Sequence, residues 1–387
     1  NVRRSAEIAL GDPDDYLYIK AKRWDLGNIP NWRAMSNNTI YCDSYDHIAE
    51  GVWDGYAGNG EPYGFFNVAL SSKFGRTGEK ARENCEGTNP CGEISLADKE
   101  CCNLAELYLN NIESKQELIE CSKLLYKTQK AICSLPFIHD DTNKIVHKNF
   151  RIGQGVTGIC QGLHNNKLEW LDDCYKALKA FDKEWSKKQG WPESIKLTTV
   201  KPSGTLSLLA GATPGVHPSY SQYYIRRVRM SSQDGLVETC KDMGYHVEFV
   251  KNFDGTLNRD TVIVEFPCEA GNNAKLAKEM SAVDQLELIK KIQKEWSDNA
   301  VSCTVYYKKE ELCDIKEWLR ENYKNNIKSV SFLLHQEHGF AQAPYEEIDE
   351  DTYKKLLKSI KKTSGAKVSN GHVLEGLECE GGACPIR

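Results

Sequence analysis

Nowhere in the chain does an apolar run approach the roughly 18 residues that cross a bilayer. Asn1 to Arg4 also lack the basic-then-apolar order of a secretory signal. These two absences exclude a helical membrane protein and a recognisable export signal, so a soluble, cytoplasmic protein is expected. Basic charge is not in excess either: 50 Lys and Arg stand against 55 Asp and Glu, a net charge of −5. A general nucleic-acid binder needs a cationic footprint to neutralise phosphates, so no direct nucleic-acid partner is expected, and any nucleotide handled is expected to be a small molecule. There is no internal repeat and no low-complexity tract. An initiator methionine is missing too, and because Asn1-Val2-Arg3-Arg4-Ser5-Ala6-Glu7 already reads as structured sequence, further chain is expected upstream.

What is present is a globular α/β pattern. The 387 residues are 40% hydrophobic, enough for one large core or two ordinary ones. The 15 cysteines are diluted over the whole length and fall largely inside regular segments, so most are expected to be reduced, buried thiols rather than a disulfide scaffold. Segments rich in β-branched and aromatic residues (Ser194 to Val200, Tyr223 to Arg229, Thr261 to Pro267, Val301 to Tyr307) alternate with amphipathic ones. Helical periodicity is clearest in Lys115 to Cys133, Trp170 to Lys188, Asp284 to Trp296 and Lys309 to Tyr323. The alternation predicts parallel strands joined by helices. Beyond Pro344 an acidic stretch, Glu346 to Asp351, leads to a Lys-rich helix, Tyr353 to Lys362, and to a polar tail ending Cys379-Glu-Gly-Gly-Ala-Cys384-Pro-Ile-Arg387. The expected organisation is a main body over 1–345 and a flexible tail over 346–387.

The densest chemical cluster is Asn89-Pro90-Cys91-Gly92-Glu93-Ile94, followed by Cys101-Cys102-Asn103-Leu104. Alternation along an extended segment would turn Asn89, Cys91 and Glu93 to one side, while Pro90 and Gly92 favour a loop tip. A lone cysteine among turn residues is ordinarily a small buried hydrophobe; here a thiol, a carboxamide and a carboxylate stand within five residues. Gly87-Thr-Asn-Pro-Cys-Gly-Glu-Ile-Ser-Leu-Ala97, with Cys102-Asn103-Leu104 after it, resembles the finger-loop motif of ribonucleotide reductases. Asn1 to Glu7, Ser36-Asn37-Asn38, Thr199-Val-Lys-Pro-Ser-Gly-Thr205, Trp296-Ser-Asp-Asn-Ala-Val-Ser-Cys303 and the terminal Cys-Glu-Gly-Gly-Ala-Cys-Pro are similar to the monomeric, adenosylcobalamin-dependent (class II) ribonucleoside-triphosphate reductases. The resemblance extends over essentially the whole chain.

The resemblance implies the second half of a ten-stranded α/β barrel with a central finger loop at about 85–104, and reduction of ribonucleoside triphosphates by thiyl-radical chemistry with adenosylcobalamin as cofactor. By the same resemblance, Cys91 matches the thiyl residue that abstracts the substrate 3′-hydrogen. Glu93 matches the carboxylate that takes the 3′-hydroxyl proton, a task suited to a carboxylate within hydrogen-bond reach. Asn89 matches the amide that orients the substrate hydroxyls, with donor and acceptor on one side chain. Cys102, eleven positions after Cys91, matches one of two reducing cysteines, although Cys101 adjoins it.

Pro202, Ser203, Gly204 and Thr205 follow the expected strand and open an apolar helical start. Spacing alone reads them as a helix cap; exposed backbone N–H groups there also suit phosphate, and the resemblance implies substrate phosphates. Ser36 and Asn37 read as turn residues or, by resemblance, as contacts to the substrate edge. Cys379 and Cys384 can close a small disulfide on a flexible arm and exchange with another disulfide; no second ligand pair nearby supports a metal site, and no metal is expected. The resemblance makes them the shuttle from thioredoxin. His217, His335 and His338 show no paired spacing and read as structural or rim residues, and the arginines of Tyr223 to Arg229 read as one charged strand face open to an anion.

The second reducing cysteine and the allosteric specificity loops belong to the family's first half, so a missing amino-terminal half, on the same chain or a separate one, is an expected partner. Two alternatives differ in kind. A class I ribonucleoside-diphosphate reductase fragment would need a tyrosine pair near the C-terminus, where Tyr345 and Tyr353 stand apart. An inactive half acting as a binding or regulatory module would have no need of Asn89, Cys91, Glu93, Cys102, Cys379 and Cys384 together.

Overall fold

The computed structural model describes residues 8–27, 29, 33, 36–79, 83–204, 206–251, 256–271, 274–334 and 342–361. Contacts divide the chain into two units, one holding Ser5–Ser219 with Gly271–Gln336, the other holding Tyr220–Ala270 with Glu337–Arg387. This division differs from the expected body at 1–345, because residues 220–270 group with 342–361. Thr205, His335, His338, Cys379, Cys384 and Asn1 to Glu7 lie outside the described residues.

In the larger unit, strands β1 (Ile8–Gly11), β2 (Asn37–Tyr41), β3 (Gly64–Phe66), β13 (Ser329–Leu334) and β12 (Thr304–Tyr307) form one sheet in the order β1-β2-β3-β13-β12. Its neighbours are parallel except β3 and β13, which are antiparallel. A second, all-parallel sheet has the order β6 (Leu104–Tyr108), β7 (Gly153–Thr157) and β8 (Thr198–Thr199). A parallel bridge from Val200 to Val301 ties the end of β8 to the segment leading into β12. The core between these elements is apolar and aromatic: Trp296, Tyr56, Tyr175, Tyr307, Tyr323, Phe65 and Phe66 are all essentially fully buried. Burying such side chains supplies the main driving force for the fold.

The helices form where periodicity placed them. Lys115–Cys133 opens on Ser114, whose hydroxyl accepts the Glu117 N–H at 3.2 Å, and buries Leu118, Ser122, Tyr126, Gln129, Lys130 and Cys133 at helical spacing. It packs against Trp170–Gln189, which ends on Gly190 in the left-handed conformation. Ala282–Glu295 starts two residues before the expected Asp284, because Ser281 and Asp284 cap each other reciprocally. Leu312–Asn326 follows a single tight turn over Lys309–Glu311.

Two strand expectations shorten. Only Thr198–Thr199 of Ser194 to Val200 enters a ladder, and Val301 to Tyr307 becomes regular only at Thr304, since the residues before each give their backbone groups to side chains and loops. The other two are corrected in kind. Tyr223 to Arg229 and Thr261 to Pro267 are not parallel strands of the main sheet: β9 (Tyr223–Ser231), β10 (His246–Lys251), β11 (Leu257–Glu269) and β14 (Tyr345–Glu347) make an antiparallel sheet ordered β10-β11-β9-β14. Glu346 and Glu347 therefore belong to a strand, and the following helix is Glu350–Ser359, capped by Asp349. Among the described residues no helix is long and apolar enough to cross a membrane.

Between the two long helices lies a buried ion pair. Lys130 Nζ is 3.0 Å from Asp182 Oδ1 and also donates to the Pro192 carbonyl at 2.7 Å and Ser194 Oγ at 2.9 Å, while the Tyr126 hydroxyl donates to Asp182 at 2.5 Å. Both side chains are almost wholly out of water. Asp182→Ala leaves a buried ammonium without its counter-charge and is expected to cost about 3–5 kcal/mol of unfolding free energy in denaturant titration; a loss under about 1 kcal/mol would contradict this placement.

Candidate active site

Asn89 to Ile94 form the tip of a hairpin whose stem pairs β4 (Gly87–Thr88) with β5 (Ser95–Leu96). The tip closes on itself. The Asn89 N–H donates to the Ile94 carbonyl at 3.2 Å, the Ile94 N–H to Asn89 Oδ1 at 3.0 Å, and the Gly92 N–H to the Asn89 carbonyl at 2.9 Å. Gly92 has φ +79°, a left-handed conformation, and a Cβ there would stand 2.7 Å from Ser329 Oγ. The left-handed backbone favours glycine there, and any side chain would also require the Ser329 hydroxyl to turn away.

Three neighbouring segments hold the tip by its backbone carbonyls. Asn37 Nδ2 donates to the Pro90 carbonyl at 2.7 Å, and Ser302 Oγ to the Cys91 carbonyl at 2.5 Å. The Glu93 carbonyl takes two donors, the Ala300 N–H at 2.9 Å and Thr199 Oγ1 at 2.8 Å. The segment Trp296 to Cys303 is thus a cradle for the hairpin. It is fixed in turn by Trp296 Nε1 on the Thr199 carbonyl at 3.0 Å and by Asn299 Nδ2 on the Ile152 and Thr198 carbonyls, each at 3.0 Å. The hairpin stem rests on buried charge: Ser95 Oγ donates to Glu83 and accepts from Lys196 Nζ at 2.9 Å and Arg151 at 3.2 Å.

Asn89 and Glu93 are buried, and Cys91 is partly exposed to a small cavity lined by Thr39, Tyr63, Thr88, Pro90, Gly92 and Ser329 among others. Glu93 is 2% exposed and its Oε2 has no hydrogen-bond partner. Burial pushes its carboxyl above the ordinary glutamate range, against the opposing pull of Asn89 and Lys201. Cys102 lies at the exposed start of β6, where shielding of its sulfur and the Glu93 carboxylate push its thiol up. The described cysteines are all thiols.

The other candidates fall in varied places. Ser203 is buried with φ +35° and an unpartnered hydroxyl, and Pro202 and Gly204 flank it half-buried. The helix beyond is one turn, Leu206–Leu209. Ser36 Oγ bonds the Asn38 side chain and the Arg33 carbonyl, both at 3.0 Å, whereas Asn37 reaches the hairpin directly. His217 is structural: Nδ1 donates to the Pro214 carbonyl at 3.0 Å, Nε2 accepts the Thr304 N–H at 2.9 Å, and burial lowers its pKa. The arginine face of β9 is engaged within its own sheet, Arg227 with Glu265 and Glu346, and Arg226 over the Tyr345 ring. His246, Glu248 and Glu265 offer atoms within 4.8 Å of one another in that sheet, but Glu248 already accepts from Gln342 and Glu265 from Arg227, so they form a cross-strand polar surface. Residues that sequence reasoning left without a role are Thr199, Ala300 and Ser302, whose side chains or N–H groups hold the hairpin, and Glu106 and Lys201 beside it. Thr199, Lys201, Ala300 and Ser302 had as their signal a place in motifs of family type, and Glu106 had none.

The raised carboxyl of Glu93 makes a signed prediction. Its contribution to stability is fully present below the ordinary glutamate pKa and is lost as pH rises through the higher folded value. At neutral pH the buried carboxylate therefore costs stability, and Glu93→Gln is expected to raise the thermal midpoint at neutral pH while changing it little in acid. A lowered midpoint at neutral pH would refute this.

The family described as ribonucleotide reductase, barrel domain, matches residues 44–185 and 182–333. An adenosylcobalamin-dependent ribonucleoside-triphosphate reductase of Lactobacillus acidophilus is 35% identical over 100% of this chain and 57% of its own length. A probable enzyme of the same name from Dictyostelium discoideum is 34% identical over 100% of this chain and 52% of its own. The chain thus spans about half the length of the curated relatives it matches. A crystal structure of a B12-dependent (class II) ribonucleotide reductase superposes with a TM-score of 0.77 at 33% identity, covering 92% of this chain and 54% of that one. The chain has a mixed α/β fold and belongs to the ribonucleotide reductase barrel-domain family.

Proposed function

We propose that this chain carries the radical-bearing part of an adenosylcobalamin-dependent ribonucleoside-triphosphate reductase, converting ribonucleoside triphosphates to 2′-deoxyribonucleoside triphosphates for DNA synthesis. The observation that carries the reading is the hairpin tip: Cys91 facing a cavity, with Asn89 and Glu93 beside it and the three backbone carbonyls around the tip already occupied. The finer architecture follows the same reading, namely the second half of a ten-stranded α/β barrel with the hairpin at its centre.

The chemistry of the donor set suits the cofactor on the thiol side: a partly exposed Cys91 stands at a small cavity whose lining mixes aromatic rings with hydroxyls. When bound, adenosylcobalamin supplies by cobalt–carbon homolysis the radical that Cys91 carries. Cys91 then removes the 3′-hydrogen of the ribose, and Glu93, through its unpartnered Oε2, accepts the 3′-hydroxyl proton. Asn89 orients the hydroxyls. The 2′-oxygen leaves as water, Cys102 with a second thiol gives up two electrons and two protons as the pair closes to a disulfide, and the cycle ends with Cys91 returning the hydrogen atom to C3′ and Glu93 returning the proton to the 3′-oxygen. Pro202, Ser203, Gly204 and Thr205 hold the phosphates, with Ser36 and Asn37 at the substrate edge. Cys379 and Cys384 return electrons from thioredoxin. The second reducing thiol belongs to an amino-terminal half, contributed by the same polypeptide or a separate one, and the reaction belongs in the cytoplasm.

The test is turnover of a ribonucleoside triphosphate with adenosylcobalamin and thioredoxin in a preparation that supplies the amino-terminal half. Cys91→Ser is expected to abolish deoxynucleotide formation, and Glu93→Gln to slow it by about 10²–10⁴-fold. Cys379→Ser is expected to preserve a single turnover and to block thioredoxin-coupled cycling. Retained turnover in Cys91→Ser would instead favour a binding module.

A further inference from the structure

The proposed chemistry uses Cys102 and leaves its neighbour Cys101 without a task. Both are exposed thiols. They stand on a short irregular stretch between the hairpin and β6, which begins at Leu104. The residues on either side are pinned. Glu100 is buried; its N–H donates to the Ala97 carbonyl at 3.2 Å, and its carboxylate accepts the Ala97 N–H at 2.9 Å and Asn149 Nδ2 at 2.9 Å and pairs with Arg151 Nε at 3.0 Å. The Asn103 carbonyl accepts the Gly153 N–H at 2.8 Å and Gln129 Nε2 at 3.2 Å, and Asn103 Nδ2 donates to the Gln129 carbonyl at 2.8 Å. Between these anchors, among the described residues, no hydrogen bond joins the peptide groups of Cys101 or Cys102 to another residue.

Consecutive Cα atoms stand about 3.8 Å apart, closer than the roughly 4.4–6.8 Å of an ordinary disulfide. A bond between Cys101 and Cys102 therefore requires the backbone between them to adjust, and it is readily reduced once formed. A peptide fastened by hydrogen bonds would resist that adjustment, whereas this one is held only through its neighbours. Neither cysteine lines the cavity at Cys91. With both sulfurs exposed, a soluble reductant reaches such a bond without entering that cavity.

We propose that Cys101 is a further redox-active residue, which takes the disulfide over from Cys102 and presents it to the reductant as a vicinal disulfide. The inference rests on the reading of Cys102 as one of the two reducing thiols. After turnover Cys102 is bonded to the second reducing thiol. The Cys101 thiolate attacks Cys102 Sγ; the bond between Cys101 and Cys102 forms as the older bond breaks, and the second reducing thiol leaves with the proton that Cys101 gave up. No electron enters or leaves in this exchange. A dithiol reductant then opens the vicinal bond: one of its thiolates bonds Cys101 Sγ and frees Cys102, and the other closes the reductant's own disulfide and frees Cys101. The reductant is oxidised by two electrons, and its two protons pass to the freed sulfurs.

The experiment treats the full chain with the thiol oxidant diamide, blocks the remaining thiols with iodoacetamide and cuts with trypsin. Cleavage after Lys99 and Lys115 releases Glu100–Lys115, which carries Cys101 and Cys102 and no other cysteine. Mass spectrometry is expected to find this peptide unalkylated and lighter by the mass of two hydrogen atoms, with the loss reversed by dithiothreitol. A peptide that stays fully alkylated, or that is joined to another cysteine peptide, overturns the proposal. Cys101→Ser is expected to lose the mass shift and, in the preparation that supplies the amino-terminal half, to slow thioredoxin-coupled cycling several-fold; cycling at the full rate overturns the relay. Turnover of Cys102→Ser tests the separate reading: undiminished activity there would remove the reducing role of Cys102 while leaving the peptide result intact.

Discussion

Glu83 is held wholly out of water between the guanidinium of Arg151 and the ammonium of Lys196, and the hairpin stands on that arrangement. Burial pushes the Glu83 carboxyl up, but Lys196 and Arg151 outweigh it and hold the group below its ordinary range. Arg151 also reaches Glu100 at 3.0 Å, so two cations meet two carboxylates. Ions taken from water cost several kcal/mol each, a cost offset only where opposite charges and hydrogen bonds are complete. Ser95 completes the set, bonded to Glu83, Lys196 and Arg151 at once. The second strand of the hairpin is therefore pinned at a single hydroxyl by three charged groups contributed from distant parts of the chain.

From that base upward the hairpin is held by its main chain. The Pro90 carbonyl accepts from Asn37, the Cys91 carbonyl from Ser302, and the Glu93 carbonyl from Thr199 and Ala300. Holding a reactive loop by its peptide groups fixes its course without drawing on Glu93 Oε2. Glu93 illustrates the consequence: its carbonyl is doubly bonded while its Oε2 is buried without a partner. Lys328 shows the same economy, its ammonium donating to the carbonyls of Phe74, Gly75 and Asp298 at 2.6 to 2.7 Å and so tying the Phe74–Gly75 segment to the cradle.

Much of the fold was legible because it is local. The periodicity of Lys115 to Cys133 and of Trp170 to Lys188 gave helices within a residue or so of those observed, and the Asn89, Cys91 and Glu93 pattern on a turn marked the hairpin tip. The antiparallel sheet was misjudged because strand propensity says nothing of a strand's partner. Tyr223 to Arg229 could read as one more parallel strand until β11 and β14 were seen to pair with it on either side. The acidic run at Glu346 likewise looked like tail, since charged residues on an edge strand resemble a solvated linker.

By itself, the sequence determined which chemistry was possible: a thiol, an amide and a carboxylate on a turn that favours glycine at 92, and helices whose apolar stripes name their buried faces. Only the tertiary structure decided what those groups answer to. Asn37, Thr199, Ala300 and Ser302 are scattered over more than 260 positions yet converge on one six-residue tip. Glu106 and Lys201 meet across β7 from strands far apart along the chain. The physical reason is range. Dihedral preference and periodicity act within a few residues, whereas charge pairing and hydrogen bonding across a core act between groups that only folding makes neighbours.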